Sequence, residues 1–159
     1  MVDLKSEESL RSAIELMYFA YREFTAGPDR VLAQRGLGRV HHRILYFVGR
    51  NPDLSVKALL DRLAVTKQAL HQPLQQLLGM GLITNASDEK DGRVRRLCLT
   101  VEGVRLEAKL SAVQTKQLSE AFTKSGAAPA RGWFSVMRGI AGTPTGSTFL
   151  NMKANARKR

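Results

Sequence analysis

Apolar residues recur along this chain with two different periods. Leu10, Ile14, Met17, Tyr21 and Phe24 follow at steps of 4, 3, 4 and 3, the narrow seam of one helix face. Ser6 suits the N-cap of that helix, with Glu7 and Glu8 in its first turn. Gly27-Pro28 is expected to stop it, leaving a linker that holds Arg30, Arg35 and two glycines. Val40, Ile44, Phe47 and Val48 predict a second helix over about 39–49, ended by Asn51-Pro52. Ser55 can cap the short helix VKALLDRL, Ala64-Val65 a tight turn, and Thr66 the helix KQALHQPLQQLLGMG. The period then shortens. Leu82-Ile83-Thr84 and Val94 to Leu99 read as two strands, with the hairpin dipeptide Asp91-Gly92 between them. Helical spacing returns after Thr100 with Leu106, Leu110 and Val113, and runs to about Lys124, where Ser125-Gly126 breaks it. Pro129 fits the first turn of a last helix through Trp133, Val136, Met137 and Ile140.

Two short helices joined by a tight turn and followed by a β-hairpin make a winged helix-turn-helix. The expected class is therefore mainly α with a small β-hairpin wing, or α+β. Residues 1–38 and 104–141 form the expected helical dimerisation region, 39–103 the winged lobe, and 142–159 a flexible basic tail. On the helix opened by Thr66, Leu70, Leu74, Leu77 and Leu78 mark the buried face. Gln68, Gln72 and Gln75 lie opposite, flanked by Lys67 and His71. An amide-rich face can pair bidentately with adenine in a major groove, and Lys67 can reach a phosphate or a guanine. Pro73 removes one helix hydrogen bond and is expected to kink this helix.

Charge narrows the partner. Residues 1–26 carry three basic and five acidic side chains, 27–103 carry twelve and seven, and 104–159 carry ten and two, within a net charge of +11. A basic middle and end behind an acidic start favour a polyanion, with double-stranded DNA foremost.

The run Asp91-Gly92-Arg93-Val94-Arg95-Arg96-Leu97-Cys98-Leu99-Thr100, followed by Val101-Glu102-Gly103, resembles the wing signature of MarR-type transcriptional regulators. Asp91, Arg93, Leu97, Leu99, Thr100 and Gly103 fit that pattern, and VKALLDRLAVTKQALHQPLQQLLGMGLI is similar to the family's helix-turn-helix. The resemblance extends through residue 141. It implies a homodimer built from the first and last helices on a palindromic operator. It also implies wing arginines in the minor groove and repression relieved by a small-molecule effector. Arg93 beside the hairpin tip best suits minor-groove insertion. Arg95 is expected to share its face, leaving Arg96 to meet an acid or a phosphate. Asp91 either orients an arginine or forms the turn with Gly92. The dimer surface would include Leu10, Ile14, Met17, Tyr21, Trp133 and Met137. Tyr18, Tyr21 and His41 would line an effector crevice.

Other chemistry finds little support. His41-His42 has no acid or nucleophile close in sequence, and one of the two is expected at the surface. GLGR at 36–39 lacks a third glycine and a preceding strand, so no cofactor loop is expected. One cysteine and three scattered histidines give no zinc spacing, and no enzyme is expected. Cys98 is read as an inert thiol, with oxidation switching as the alternative. The chain start has no basic and apolar leader, and no apolar run would span a bilayer, so a cytoplasmic protein is expected. The competing functional class is a protein-docking or architectural module that does not read sequence.

Overall fold

The computed structural model of the chain describes residue 3 and residues 5–142. Its elements run α1 (Glu7–Ala33), α2 (Arg39–Arg50), β1 (Leu54–Ser55), α3 (Val56–Leu63), α4 (Lys67–Gly79), β2 (Ile83–Ser87), β3 (Arg95–Leu99), α5 (Val101–Ser125) and α6 (Ala127–Ala141). Two compact units result, Met1–Thr115 and Lys116–Arg159, so the division falls inside α5. The expected tail beyond residue 142 lies outside the described residues.

The expected stop at Gly27-Pro28 is wrong. Helix α1 runs through both residues to Ala33. Pro28 has no N–H for the carbonyl of Phe24, four residues back. Gln114 of α5 supplies the missing donor, its side-chain amide lying 3.1 Å from Phe24 O. The Thr25 hydroxyl donates to the Tyr21 and Arg22 carbonyls in the same turn. Gly27 lets α5 approach, because a Cβ there would come within 2.6 Å of Val113 Cγ1. A buried Pro28 thus sits at a helix crossing. The real stop is Gly36, at φ 66°. Gly36 N–H donates to Ala33 O and Leu37 N–H to Leu32 O, and both leucines are buried beneath this cap.

The helix-turn-helix forms as its caps predict. Ser55 Oγ accepts from Ala58 N–H, and Thr66 Oγ1 accepts from Ala69 N–H. Ala64 turns the chain between them at φ 52°. Helix α4 keeps Pro73 within its span. It closes with a second left-handed glycine, Gly81, where Leu82 N–H reaches Leu77 O. Leu32, Ile44, Leu45, Leu59, Leu70, Leu77, Leu82, Leu97 and Leu110 are buried completely or almost so. Each such side chain contributes about 1.5–3 kcal/mol relative to exposure.

The sheet has three strands rather than the two expected, in the order β1-β3-β2. Leu54 pairs with Leu97 and Ser55 with Arg96. On the other side the register runs from Ile83–Leu99 to Ser87–Arg95. The first wing strand therefore extends past Thr84 to Ser87 and starts after Leu82. Thr100 ties the sheet to α5: its hydroxyl donates to Gly81 O at 2.7 Å and accepts from Gly103 N–H at 3.0 Å.

Candidate nucleic-acid interface

Leu70, Leu74 and Leu77 bury one side of α4. On the other side Lys67, Gln68, His71, Gln72 and Gln75 are all exposed, as is the capping residue Thr66. The helix thus presents one cation, three amides and an imidazole on a single surface. Such a surface can donate to and accept from base edges in a groove that admits a helix. Gln76, one position beyond Gln75, turns elsewhere. Its Oε1 meets His41 Nε2 at 3.0 Å and its Nε2 donates to Gly36 O at 3.2 Å.

The wing is built by aspartates. Asp91-Gly92 does not form a two-residue hairpin, because the strands part at Ser87 and Arg95 and Gly92 is not left-handed. Asp88 N–H donates to Val94 O at 2.8 Å and closes the loop. Asp88 Oδ1 accepts from the backbone of Lys90 and of Asp91, and Asp91 Oδ1 accepts from Arg93 N–H. A side chain bonding the backbone two or three residues on is the alternative to a glycine turn. Asp91 therefore forms the turn and does not meet an arginine head group. Asp88 Oδ2 holds Arg96 Nε at 2.6 Å, and that partner keeps the Asp88 carboxyl below its ordinary range.

The three wing arginines separate. Arg96 is committed to Asp88 and to Asp53 O. Arg95 is exposed and donates to Ser87 Oγ. Arg93 is exposed, and among the described residues its guanidinium has no partner. It lies in the loop before β3, so strand alternation does not assign it a face in common with Arg95.

The remaining candidates are dispersed. Leu10, Ile14, Met17 and Tyr21 are exposed along α1, Trp133 is exposed on α6, and Met137 is partly covered. Tyr21 carries two arginines of α2: Arg43 donates to its hydroxyl at 3.0 Å, and Arg39 lies 5.3 Å from its ring centre. Asp29 anchors Arg39 at 2.8 Å. Tyr18 is exposed, with Phe19 edge-on. His41 is buried with both ring nitrogens engaged, so it does not open onto a shared surface with the two tyrosines. His42, the neighbour expected at the surface if His41 were not, is also partly buried; burial pushes its imidazole below the ordinary value, against the pull of Glu107.

Cys98 Sγ–H donates to Asp53 Oδ1 at 3.1 Å, and Asp53 N–H donates back to the sulfur. The acceptor carboxylate holds the thiol above its ordinary range, which disfavours the thiolate that oxidation requires. Sequence spacing could not find the partners Asp53, Asp88 and Gln76, since each lies in a different element from the group it serves. The Arg39–Arg43 pair was accessible, as an i, i+4 pair on one helix.

Among the described residues, no helix is long and apolar enough to cross a membrane, and no cluster of His, Cys, Asp and Glu could hold a metal. A model described as the MarR family matches residues 35–94. The chain is 41% identical over 135 residues to the HTH-type transcriptional regulator PetP of Rhodobacter capsulatus, covering 85% of this chain and 81% of that protein. Its fold is similar to a MarR transcriptional regulator from Methanosarcina mazei, with TM-score 0.64, 21% identity and coverage of 82% and 92%. It is also similar to the regulator BldR from Sulfolobus solfataricus, with TM-score 0.63, 21% identity and coverage of 89% and 98%.

Proposed function

The chain belongs to the MarR family of DNA-binding transcriptional regulators, and from that premise we propose that it acts as a homodimeric repressor on a palindromic operator. The single observation that carries the reading is α4, with its leucines buried and Lys67, Gln68, His71, Gln72 and Gln75 exposed together. Two copies of that helix related by a two-fold axis would enter successive major grooves about 34 Å apart. Thr66 would bring its hydroxyl to the backbone at the helix start. Arg93, the wing arginine whose guanidinium has no partner among the described residues, would enter a narrow minor groove, with Arg95 beside it on phosphate. The uncovered apolar residues of α1, together with Trp133 and Met137 of α6, would supply the dimer surface.

A small-molecule effector would act from the α1–α2 face. Tyr18 and Tyr21, without His41, would line that site, and Arg39 and Arg43 beside Tyr21 would suit an anionic aromatic compound.

The test is selection of duplexes from a randomised pool, followed by titration of the enriched sequence. Gln72→Ala should change which bases are enriched. Arg93→Ala should weaken binding about tenfold, the loss of one well-placed charged contact. Affinity should fall steeply with salt. Salt-sensitive binding with no enriched sequence would replace this reading with an architectural one, and no binding at all would favour protein docking.

A further inference from the structure

Gln76 belongs to α4 but not to its exposed amide face, and the bonds it makes form a directed chain. Gly38 N–H donates to His41 Nδ1 at 3.0 Å. That ring nitrogen therefore carries no proton, and the neutral ring holds its proton on Nε2. Nε2 then donates to Gln76 Oε1 at 3.0 Å, which leaves the Gln76 amide nitrogen to donate to Gly36 O at 3.2 Å. One backbone N–H thus fixes the polarity of all three bonds. Gly36 is the left-handed residue that ends α1, and Gly38 is the N-cap of α2. His41 is buried, so water does not compete strongly for its ring.

We propose that His41 and Gln76 are positioning residues for sequence reading, setting the roll of α4 about its own axis against the α1–α2 connection. The leucines that seat α4 are held by contacts without direction, whereas hydrogen bonds are directional. Neither residue touches a base. They act through Gln68, Gln72 and Gln75, and a shift of the α1–α2 connection reaches those amides along this chain. The inference rests on the reading of α4 as the recognition helix.

The test uses the full chain, the duplex enriched from a randomised pool by the wild type, and a scrambled duplex of equal length. In His41→Gln the amide nitrogen stands in for Nε2 and can still donate to Gln76. In His41→Asn the amide oxygen stands in for Nδ1 and keeps only the bond from Gly38. His41→Gln should bind the enriched duplex within about twofold of wild type. His41→Asn and Gln76→Leu should lose about tenfold on that duplex and nothing on the scrambled one. Should His41→Asn fail to fold, the nitrogen spectrum of the wild-type His41 ring still decides: a proton on Nε2 supports the chain, and a proton on Nδ1 overturns it. Wild-type affinity in Gln76→Leu overturns the proposal, as does an equal loss on both duplexes. Failure of wild type to enrich any sequence would overturn the recognition-helix reading itself, and this proposal with it.

Discussion

At Gly103 a single hydrogen decides how the wing meets the helix behind it. A Cβ there would fall inside the contact radius of the Leu82 carbonyl oxygen, which already accepts from Thr100 N–H. Gly103→Ala should cost about 1–3 kcal/mol, the range for forced overpacking, and a urea titration would measure it. The Leu99-Thr100-x-x-Gly103 run was legible as a resemblance. The reason for its glycine was not, because Leu82 lies in another element. His42 supplies a second residue-scale prediction. Its folded pKa lies below the unfolded value of about 6.5, so the unfolded chain binds the extra proton first. The His42 contribution to stability is complete above about pH 6.5 and is lost as pH falls through the lower folded value. Denaturant midpoints at pH 7.5 and 5.5 should differ more for wild type than for His42→Gln.

Among the elements, the helix starts were legible because capping is local chemistry. Ser6, Ser55, Thr66 and Thr100 all accept the backbone N–H three residues on. The stop of α1 was not, since a proline ends a helix only when nothing else serves the orphaned carbonyl. Here Gln114 serves it. Gln114→Ala should destabilise by about 1 kcal/mol, the cost of leaving a half-buried acceptor unmet. In a Pro28→Ala background the same change should cost clearly less, because alanine restores a backbone N–H for Phe24 O. Denaturation of the four proteins of that cycle would give the coupling, and an additive result would separate Gln114 from Pro28. The wing differs in the same way. Its dipeptide announced a turn, but Asp88 and Asp91 close a longer one through side chains. The third strand, two residues long, falls below any periodic signal.

For the whole molecule, an apolar seam reads alike whether its cover comes from its own chain or from a second copy. Ile14 is 70% exposed, and Leu10, Met17 and Tyr21 are uncovered with it. Ile14→Glu should shift sedimentation toward the monomer. It should also weaken binding to an enriched two-site duplex far more than to one half-site, because a monomer loses the gain from linked contacts. Equal sedimentation of variant and wild type would place the dimer surface elsewhere. The candidate DNA face was largely legible, since exposure on α4 follows from helical period. Strand alternation set Arg96 apart from Arg95, and of the two partners expected for it, an acid or a phosphate, the structure supplies the acid. That the acid is Asp88, and that Gln76 bonds His41 and Gly36, could not be read, because those partners lie outside the element of the residue they meet.

The bond from Gln114 to Phe24 spans 90 positions of chain. Most helices complete their ladder from neighbours within a turn, and so form early. This one has a gap in its ladder that only a distant segment fills, with the entropy of a long loop to overcome first. The turns of α1 before Gly27-Pro28 are long enough to form early, whereas the short stretch after Pro28 is expected to join them only when α5 docks. Amide exchange around Pro28 should then follow the opening of α5 rather than the fraying of α1, making the first helix of the chain among the last to be finished.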